Sequence, residues 1–301
     1  MNQHITRRRF LSCAGTSAIG TALLPMVSCK ALAGPPDQRF TMGLSQYSLR
    51  ELFKSGSLDP LDYPQFSVDK FGIYAVDYWE GGLPKDKLDD MAYFEKLRSR
   101  AEAAGCDPFL LMTGGVNGAA KNLDANKKAV QAIKRTQALG ARHLRIFMWT
   151  PDKGEEAAVA QGAVVAMKPL ADVAAAHGVT LVVEPGASKR SQGGEFLAKV
   201  CGSLNHPNFR LMPDFGKLRG DIYAGTAAMM PYAAVISCKM HSFDAAGNQP
   251  DFDYPRLMKT IVDSGYKGIL AIEWEGKELE PIPGVLASKK LIEKSLRLAR
   301  A

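Results

Sequence analysis

The sequence lacks the cysteine and glycine motifs that mark several common kinds of functional site. Its five cysteines form no Cys-x-x-Cys pair, and three remain once the N-terminal segment is set aside. This odd number excludes a disulfide framework, and the spacing excludes a zinc-cysteine site. No Gly-x-Gly-x-x-Gly follows the first predicted strand, and no P-loop is present, so the usual nucleotide-binding fingerprints are missing.

An excess of charge of one sign is also missing from most of the chain. The net charge is +7, but residues 1–33 contain four of the 38 basic residues and no acidic residue. The rest of the chain has 34 basic against 31 acidic residues. This near-balance gives no argument for nucleic-acid binding.

Residues 1–33 have the pattern of an export signal. Three arginines precede Phe10 and Leu11, a weakly apolar run follows, and an Ala-Leu-Ala pattern ends at Ala33. The twin arginine before Phe-Leu resembles a Tat signal, which predicts a periplasmic or other extracytoplasmic location. An uncleaved membrane anchor is the alternative. A loose lipobox ending at Cys29 would tether the protein to a membrane if that cysteine were lipidated.

The remaining residues, 34–301, alternate between short apolar strands and longer helical patterns. Strands are predicted at 39–48, 72–79, 107–114, 141–149, 178–185, 208–216, 233–243 and 268–276. Helical patterns at 91–105, 126–140, 157–178 and 254–266 lie between them, and glycine often ends the helix. Eight βα units of about 30 residues predict a single-domain α/β fold, a (β/α)8 TIM barrel. A doubly wound open sheet is the alternative.

Four consecutive predicted strands end in polar side chains, which are Glu184, Asp214, His241 and Glu273. Barrel enzymes place their chemistry at this end of the strands. Alternation along the last strand separates Glu273 from the bulky Ile272 and Trp274, so the glutamate points into the barrel. Carboxylates with an imidazole suit Mn²⁺, Mg²⁺, Co²⁺ or Zn²⁺. We therefore predict a divalent metal site; the alternative is that each acid begins a solvated loop.

The seventh strand leaves its ligand ambiguous, because Lys239 and His241 face the same way. His241 is the better ligand at neutral pH, since a lysine must first lose its proton. Lys239 could instead hold a substrate oxygen or act as a base with a lowered pKa. Glu275 lies on the same side as Glu273 but one step beyond the strand, so we expect it to support the site from the rim.

Other strand-end residues are candidates for substrate binding, namely Gln46, Trp79 and Trp149. Aromatic side chains at the mouth of a barrel commonly stack on sugar rings, although packing of the rim explains the two tryptophans equally well. Arg145 shares a face with Trp149 and is interpreted as half of a core ion pair, with a substrate anchor as the alternative.

With these residues placed, the chain resembles the xylose-isomerase-like TIM-barrel superfamily, often called sugar phosphate isomerases/epimerases. The matching segments are LVVEPG, LMPDFG, SCKMHSF and LAIEWEG, each about one βα unit apart. The Tat-exported bacterial members are the most similar. The resemblance implies a divalent metal held by Glu184, Asp214, His241 and Glu273, with Glu184 and Glu273 also acting as proton-transfer groups.

The resemblance implies a metal-dependent isomerase or epimerase of a small-molecule carbohydrate, acting through an enediolate. Lys217 stands where ketose epimerases of the superfamily carry a histidine, and we assign Lys217 and Lys239 to substrate binding. A lyase that cleaves 3-keto-glycosides at the same site and a non-catalytic periplasmic sugar-binding protein are the alternatives. An endonuclease-like role would require more histidines and a basic groove. Whether the protein forms a homo-oligomer stays open.

Overall fold

The structure is a computed structural model that describes residues 39–300. The predicted signal peptide, including Cys29 and its lipobox, lies outside the described residues, so these expectations stay predictions. Within the described residues, eight parallel strands form one sheet with the order β6-β5-β4-β3-β2-β1-β8-β7. The strands are β1 (Phe40–Leu44), β2 (Ala75–Trp79), β3 (Asp107–Asn117), β4 (His143–Trp149), β5 (Thr180–Glu184), β6 (Phe209–Leu211), β7 (Val235–Met240) and β8 (Gly268–Trp274).

The sheet closes into a barrel. The first and last strands of the chain are neighbours, because β1 pairs in parallel with β2 on one side and with β8 on the other. β6 and β7 meet through two isolated parallel bridges, Leu211 with Ala233 and Asp214 with Ser237. Helices follow the strands around the outside, so the architecture is the predicted (β/α)8 barrel, and the open-sheet alternative is wrong.

The helices are α1 (Arg50–Lys54), α2 (Tyr63–Phe71), α3 (Met91–Ala103), α4 (Lys127–Leu139), α5 (Glu156–Ala176), α6 (Gly194–Leu204), α7 (Ile222–Met229), α8 (Tyr254–Asp263) and α9 (Pro281–Leu298). The four helical patterns named from the sequence are confirmed as α3, α4, α5 and α8. Gly140 ends α4 with φ 75°, a left-handed conformation that glycine adopts without a steric penalty. By length and composition α5 could cross a membrane, but in the barrel it packs against β5 and α6.

All eight predicted strands are present, but β1, β6 and β7 end well before the predicted residues. β1 ends at Leu44 because Gln46–Leu49 turns into a short 3-10 helix whose N-cap, Ser45, accepts a bond from the amide of Tyr47. β6 has only three residues, so Asp214 lies beyond it in the bridge to Ser237. β7 ends at Met240, which leaves His241 one residue past the strand.

The core has an inner and an outer layer, as side-chain alternation requires. The smaller layer fills the barrel and includes Phe109, Met112 and Ala271. The larger layer lies between strands and helices and contains Ile272 and Trp274. The predicted orientation of β8 is therefore confirmed, because its bulky residues face the helices while Ala271 and Glu273 face inward.

Candidate active site

A pocket of about 220 Å³ lies at the C-terminal ends of the strands. It is lined by Tyr47, Trp79, Arg145, Phe147, Glu184, Lys217, Lys239, Glu273 and Glu275. Three of the five predicted substrate-binding residues therefore reach it, namely Trp79, Lys217 and Lys239. Gln46 is fully buried and Trp149 is 45% exposed, and neither residue belongs to the lining.

Three buried carboxylates, the carboxylate triad, converge at the base of this pocket: Glu184, Asp214 and Glu273. Glu184 ends β5, Asp214 follows β6 and Glu273 lies near the end of β8. One oxygen from each residue lies within 4.8 Å of the others, and together they could hold a metal ion. Burying three like charges is costly unless cations compensate them.

Lys239 supplies one of those cations. Its Nζ lies 3.3 Å from Asp214 Oδ2, 3.3 Å from Glu273 Oε1 and 4.0 Å from Glu184 Oε1, and its side chain is 1% exposed. Burial lowers the pKa of Lys239, but the surrounding carboxylates raise it by more, to well above its usual value. The surrounding carboxylates therefore favour the ammonium form of Lys239, and the role of Lys239 toward a substrate stays a prediction.

Ser237 links two members of the carboxylate triad. Its Oγ lies 2.6 Å from Asp214 Oδ2 and 2.7 Å from Glu273 Oε2. A hydroxyl has one proton, so it donates to one of these oxygens at a time. The second oxygen of Asp214 accepts from the amides of Gly216, at 2.9 Å, and Lys217, at 2.8 Å. The loop after β6 thus orients Asp214 through its own backbone.

Glu184 has a different environment. Arg145 Nε lies 2.9 Å from Glu184 Oε2, and the same guanidinium donates to the carbonyl of Thr113 at 2.7 Å and stacks on Phe147. The ion pair predicted for Arg145 is confirmed, and its partner belongs to the site. The other oxygen, Oε1, has no hydrogen-bond partner among the described residues. Burial raises the pKa of Glu184 well above its usual value, and Arg145 only partly offsets that effect.

Glu273 shifts in the opposite direction. Burial alone raises its pKa, but the charge of Lys239 and the hydrogen bond from Ser237 lower the pKa below its usual value. Glu184 and Glu273 are therefore two carboxyls at one pocket whose pKa values shift in opposite directions. Such a separation is the usual basis for assigning acid and base roles in an active site.

His241 lies apart from the carboxylate triad. Its side chain is 38% exposed, and its nearest acidic group is Glu275, with 3.9 Å between Nε2 and Oε2. On the seventh strand, Ser237 and Lys239 reach the three carboxylates, because they lie on the inward face of β7 while His241 follows its end. The role of His241 as a metal ligand stays a prediction.

Glu275 and Gln46 hold other parts of the pocket. Glu275 Oε1 accepts from Lys239 Nζ at 2.6 Å, which is the contact expected of a supporting residue. Gln46 donates its backbone N–H to Asp77 Oδ1 at 2.8 Å and accepts from the amide of Trp79 through Oε1 at 2.6 Å. It therefore positions Trp79, whose ring packs edge-on against Tyr47.

Three residues at or near the pocket were not predicted from the sequence, namely Asp77, Ser237 and Phe147. Asp77 is fully buried on β2, and burial raises its pKa well above the usual value. An acid within the otherwise apolar segment Ala75–Trp79 was a signal that could have revealed it. Ser237 and Phe147 carry no comparable signal, because a serine or phenylalanine in a strand is ordinary.

Comparison with known proteins agrees with this architecture. A family model described as xylose isomerase-like TIM barrel matches residues 67–301. The alpha subunit of a C-glycoside deglycosidase from Arthrobacter globiformis is 32% identical over 77 residues, which is 24% of this chain and 22% of the relative. The match thus spans about a fifth of that relative's length.

Two solved structures share the fold. A structure of the IolI protein with a bound zinc atom superposes with a TM-score of 0.68 and 12% identity, covering 85% of this chain and 98% of the other. D-psicose 3-epimerase from Clostridium cellulolyticum H10, with D-tagatose, gives a TM-score of 0.62 and 13% identity, covering 86% and 98%.

Proposed function

Because the chain belongs to the xylose isomerase-like TIM barrel family, we propose that it is a carbohydrate isomerase or epimerase that moves a proton at a carbon next to a carbonyl. One observation carries the proposal: Glu184 and Glu273 line the same pocket, and their pKa values shift in opposite directions. Proton transfer of this kind needs one group that accepts a proton and one that returns it.

The positions of the two glutamates suit this role. Glu184 ends β5 and Glu273 lies on β8, three strands further around the barrel, so they approach the pocket from different sides. Glu184 Oε1 has no hydrogen-bond partner among the described residues, and burial raises the pKa of Glu184, so this carboxyl holds a proton more readily than an ordinary glutamate. Glu273 is held ionised by Lys239 and Ser237. In this proposal the Lys239 ammonium stabilises negative charge on the substrate oxygen when the proton leaves.

The donor set also fits a hard divalent ion, since it consists of carboxylate oxygens and includes the unpartnered Oε1 of Glu184. Glu184, Asp214 and Glu273 would hold such an ion. When bound, it would polarise the substrate carbonyl as a Lewis acid. Mn²⁺, Mg²⁺, Co²⁺ and Zn²⁺ all accept these donors.

A single sugar unit suits the size and walls of the pocket. Its volume of about 220 Å³ is below the roughly 300–1,000 Å³ typical of pockets for drug-sized ligands. Trp79 and Tyr47 offer aromatic surface on one wall, and carboxylates and ammonium groups offer polar partners for hydroxyls on the others.

The lyase alternative is supported by a second cavity, of about 710 Å³, beside the first. The two cavities have different linings, but Glu80 of the second directly follows Trp79 of the first, and Gly115 of the second pairs in register with Phe147 of the first. Space for a second group favours a glycoside as the substrate. The relative from Arthrobacter globiformis, to which part of this chain is similar, is the alpha subunit of a deglycosidase. A carboxylate would take the proton beside the 3-keto group, a double bond would form, and the glycosidic oxygen would leave with a proton from the second carboxyl.

We test the proposal by incubating the enzyme with free ketoses and with 3-keto-glycosides in D₂O and following the products by NMR. Deuterium at the carbon beside the carbonyl of an epimer identifies an isomerase or epimerase, whereas a released aglycone identifies the lyase. Glu184→Gln and Glu273→Gln should each slow exchange by about 10²–10⁴-fold. Glu195→Gln, on the exposed first turn of α6, serves as the matched control.

Persistent exchange in both site variants would disprove the two-carboxyl mechanism. Sugar binding with neither exchange nor product from any substrate would instead support the binding-protein alternative.

We also propose that the protein is exported. The proposal is based on the twin-arginine pattern of residues 1–33.

A further inference from the structure

We propose that Lys239 is the resident cation of the carboxylate triad and that a divalent ion binds there only after the Lys239 ammonium has moved away. The inference uses the site of the proposed function, but it concerns occupancy of the site and not the reaction catalysed.

Hydrogen bonds and ion pairs of 3.3 Å or less already occupy five of the six oxygens of the carboxylate triad. Both oxygens of Asp214 have partners, in the loop amides on one side and in Ser237 and Lys239 on the other. Glu273 uses Oε1 for Lys239 and Oε2 for Ser237. Glu184 Oε2 faces Arg145, and Oε1 has no hydrogen-bond partner among the described residues and lies 4.0 Å from Lys239 Nζ. A metal ion would therefore have to take Asp214 and Glu273 oxygens that Lys239 now contacts.

The charges lead to the same conclusion. The carboxylate triad carries three negative charges when ionised, and Arg145 pairs permanently with one of them. Arg145 with a divalent ion balances all three. The Lys239 ammonium is then balanced by Glu275 alone, which lies outside the triad. At its present position the ammonium would lie beside the divalent ion, in a site where the triad, Arg145 and Lys239 are at least nine-tenths buried. Like charges at such distances repel strongly when water is excluded.

Glu275 provides a place for the displaced ammonium. Its Oε1 makes the shortest contact of Lys239, at 2.6 Å, and it lies outside the triad. Its side chain is 20% exposed, so it is nearer the pocket opening than the 1% exposed Lys239. The flexible lysine stem allows Nζ to keep this partner while leaving Asp214 and Glu273.

Gly216 makes room for the lysine stem. A Cβ at this position would lie 2.7 Å from Lys239 Cδ and 2.9 Å from His241 Cε1, which is closer than side-chain atoms approach. The loop after β6 is thus shaped around Lys239 as well as around Asp214, whose carboxylate the same loop holds.

The test is calorimetric titration of the chelator-treated mature protein with MnCl₂. Lys239→Met should bind Mn²⁺ at least tenfold more tightly than the wild type. Lys217→Met removes the same charge from the same pocket. Lys217 bonds Asp214 through its backbone N–H, which the substitution keeps, so the Mn²⁺ affinity should change less than threefold. Glu275→Gln should bind Mn²⁺ several-fold more weakly than the wild type, because it removes the partner that receives the ammonium.

A second measurement covers the case that Lys239→Met folds poorly because its carboxylates have lost their cation. MnCl₂ should then raise the melting temperature of this variant more than that of the wild type. Glu275→Gln keeps Lys239 in the triad and tests for the opposite change, which is weaker Mn²⁺ binding. Equal or weaker Mn²⁺ binding by Lys239→Met, or no binding by either protein, would overturn the inference. Solvent exchange in the same wild-type sample would then still support the proposed function, and its absence would count against that function alone.

Discussion

At Glu184, burial and an ion pair act on the same carboxyl in opposite directions. Burial favours the neutral acid, and Arg145 favours the carboxylate. Burial prevails, which leaves the group with a raised pKa beside a permanent cation. The position of Arg145 therefore limits how far the pKa of Glu184 rises, and this limit can be measured.

Arg145→Met should move the acidic limb of kcat/KM to higher pH. Glu184 must be ionised to accept a proton, so the rate increases as pH rises through its pKa. Removing the guanidinium raises that pKa further, so we expect the limb to move to higher pH. Arg142→Met is the control, since Arg142 is 57% exposed and pairs with Asp107 at the opposite end of the barrel. An unmoved limb in Arg145→Met would show that Glu184 is not the group that titrates.

Among the elements, α9 and α5 show how differently two helical glycines are used. Gly284 lies in the first turns of α9, and a Cβ there would come within 2.2 Å of the Trp274 indole. Gly162 in α5 is exposed, and a Cβ there would meet nothing within 4 Å. The first glycine allows α9 to pack on β8 behind the catalytic face, whereas the second only adds backbone freedom.

The same substitution should therefore have opposite effects on stability. Gly162→Ala should raise the free energy of unfolding by about 0.5–1 kcal/mol, since alanine restricts the unfolded chain and favours helix. Gly284→Ala should lower it by about 1–3 kcal/mol through overpacking against Trp274. Urea denaturation measures both. A neutral Gly284→Ala would mean that α9 can shift away from β8 at little cost.

The order and type of the strands and helices could be predicted from the sequence, but several strand ends could not. Short apolar runs and helix-ending glycines mark the elements because they depend on local conformation. The early end of β1 depends on Ser45 capping a 3-10 helix, and the short β6 depends on pairing with its neighbours. The cap is a local contact with Tyr47 that the hydrophobic pattern does not show, whereas the pairing of β6 joins residues distant in the chain.

For the whole molecule, the pattern of residues 1–33 predicts the cellular location of the protein. If residues 1–33 are a Tat signal, replacing Arg7 and Arg8 together by lysine should retain the uncleaved chain in the cytoplasm, because the export machinery reads the arginine pair. Cell fractionation with mass measurement checks this. Cys29→Ala should leave export intact and release any protein held by a lipid anchor. Export of the double-lysine chain at the wild-type level would contradict the proposal.

By itself, the sequence determined the barrel and three of its buried acids. Alternation within each strand places Glu184 and Glu273 on the inner face, and repetition of the βα unit brings strand ends to one side of the barrel. These conclusions need only local geometry and the regular spacing of the chain, which is why they could be drawn without a structure.

The tertiary structure decided which cation meets those acids. Lys239 and His241 share a face by parity, but β7 ends at Met240, so Lys239 is buried among the carboxylates while His241 is left partly exposed beside Glu275. The pairing of Arg145 with Glu184 and the bridge from Ser237 to Asp214 and Glu273 arise in the same way. Each contact joins residues from different strands, and the closed barrel sets their distances.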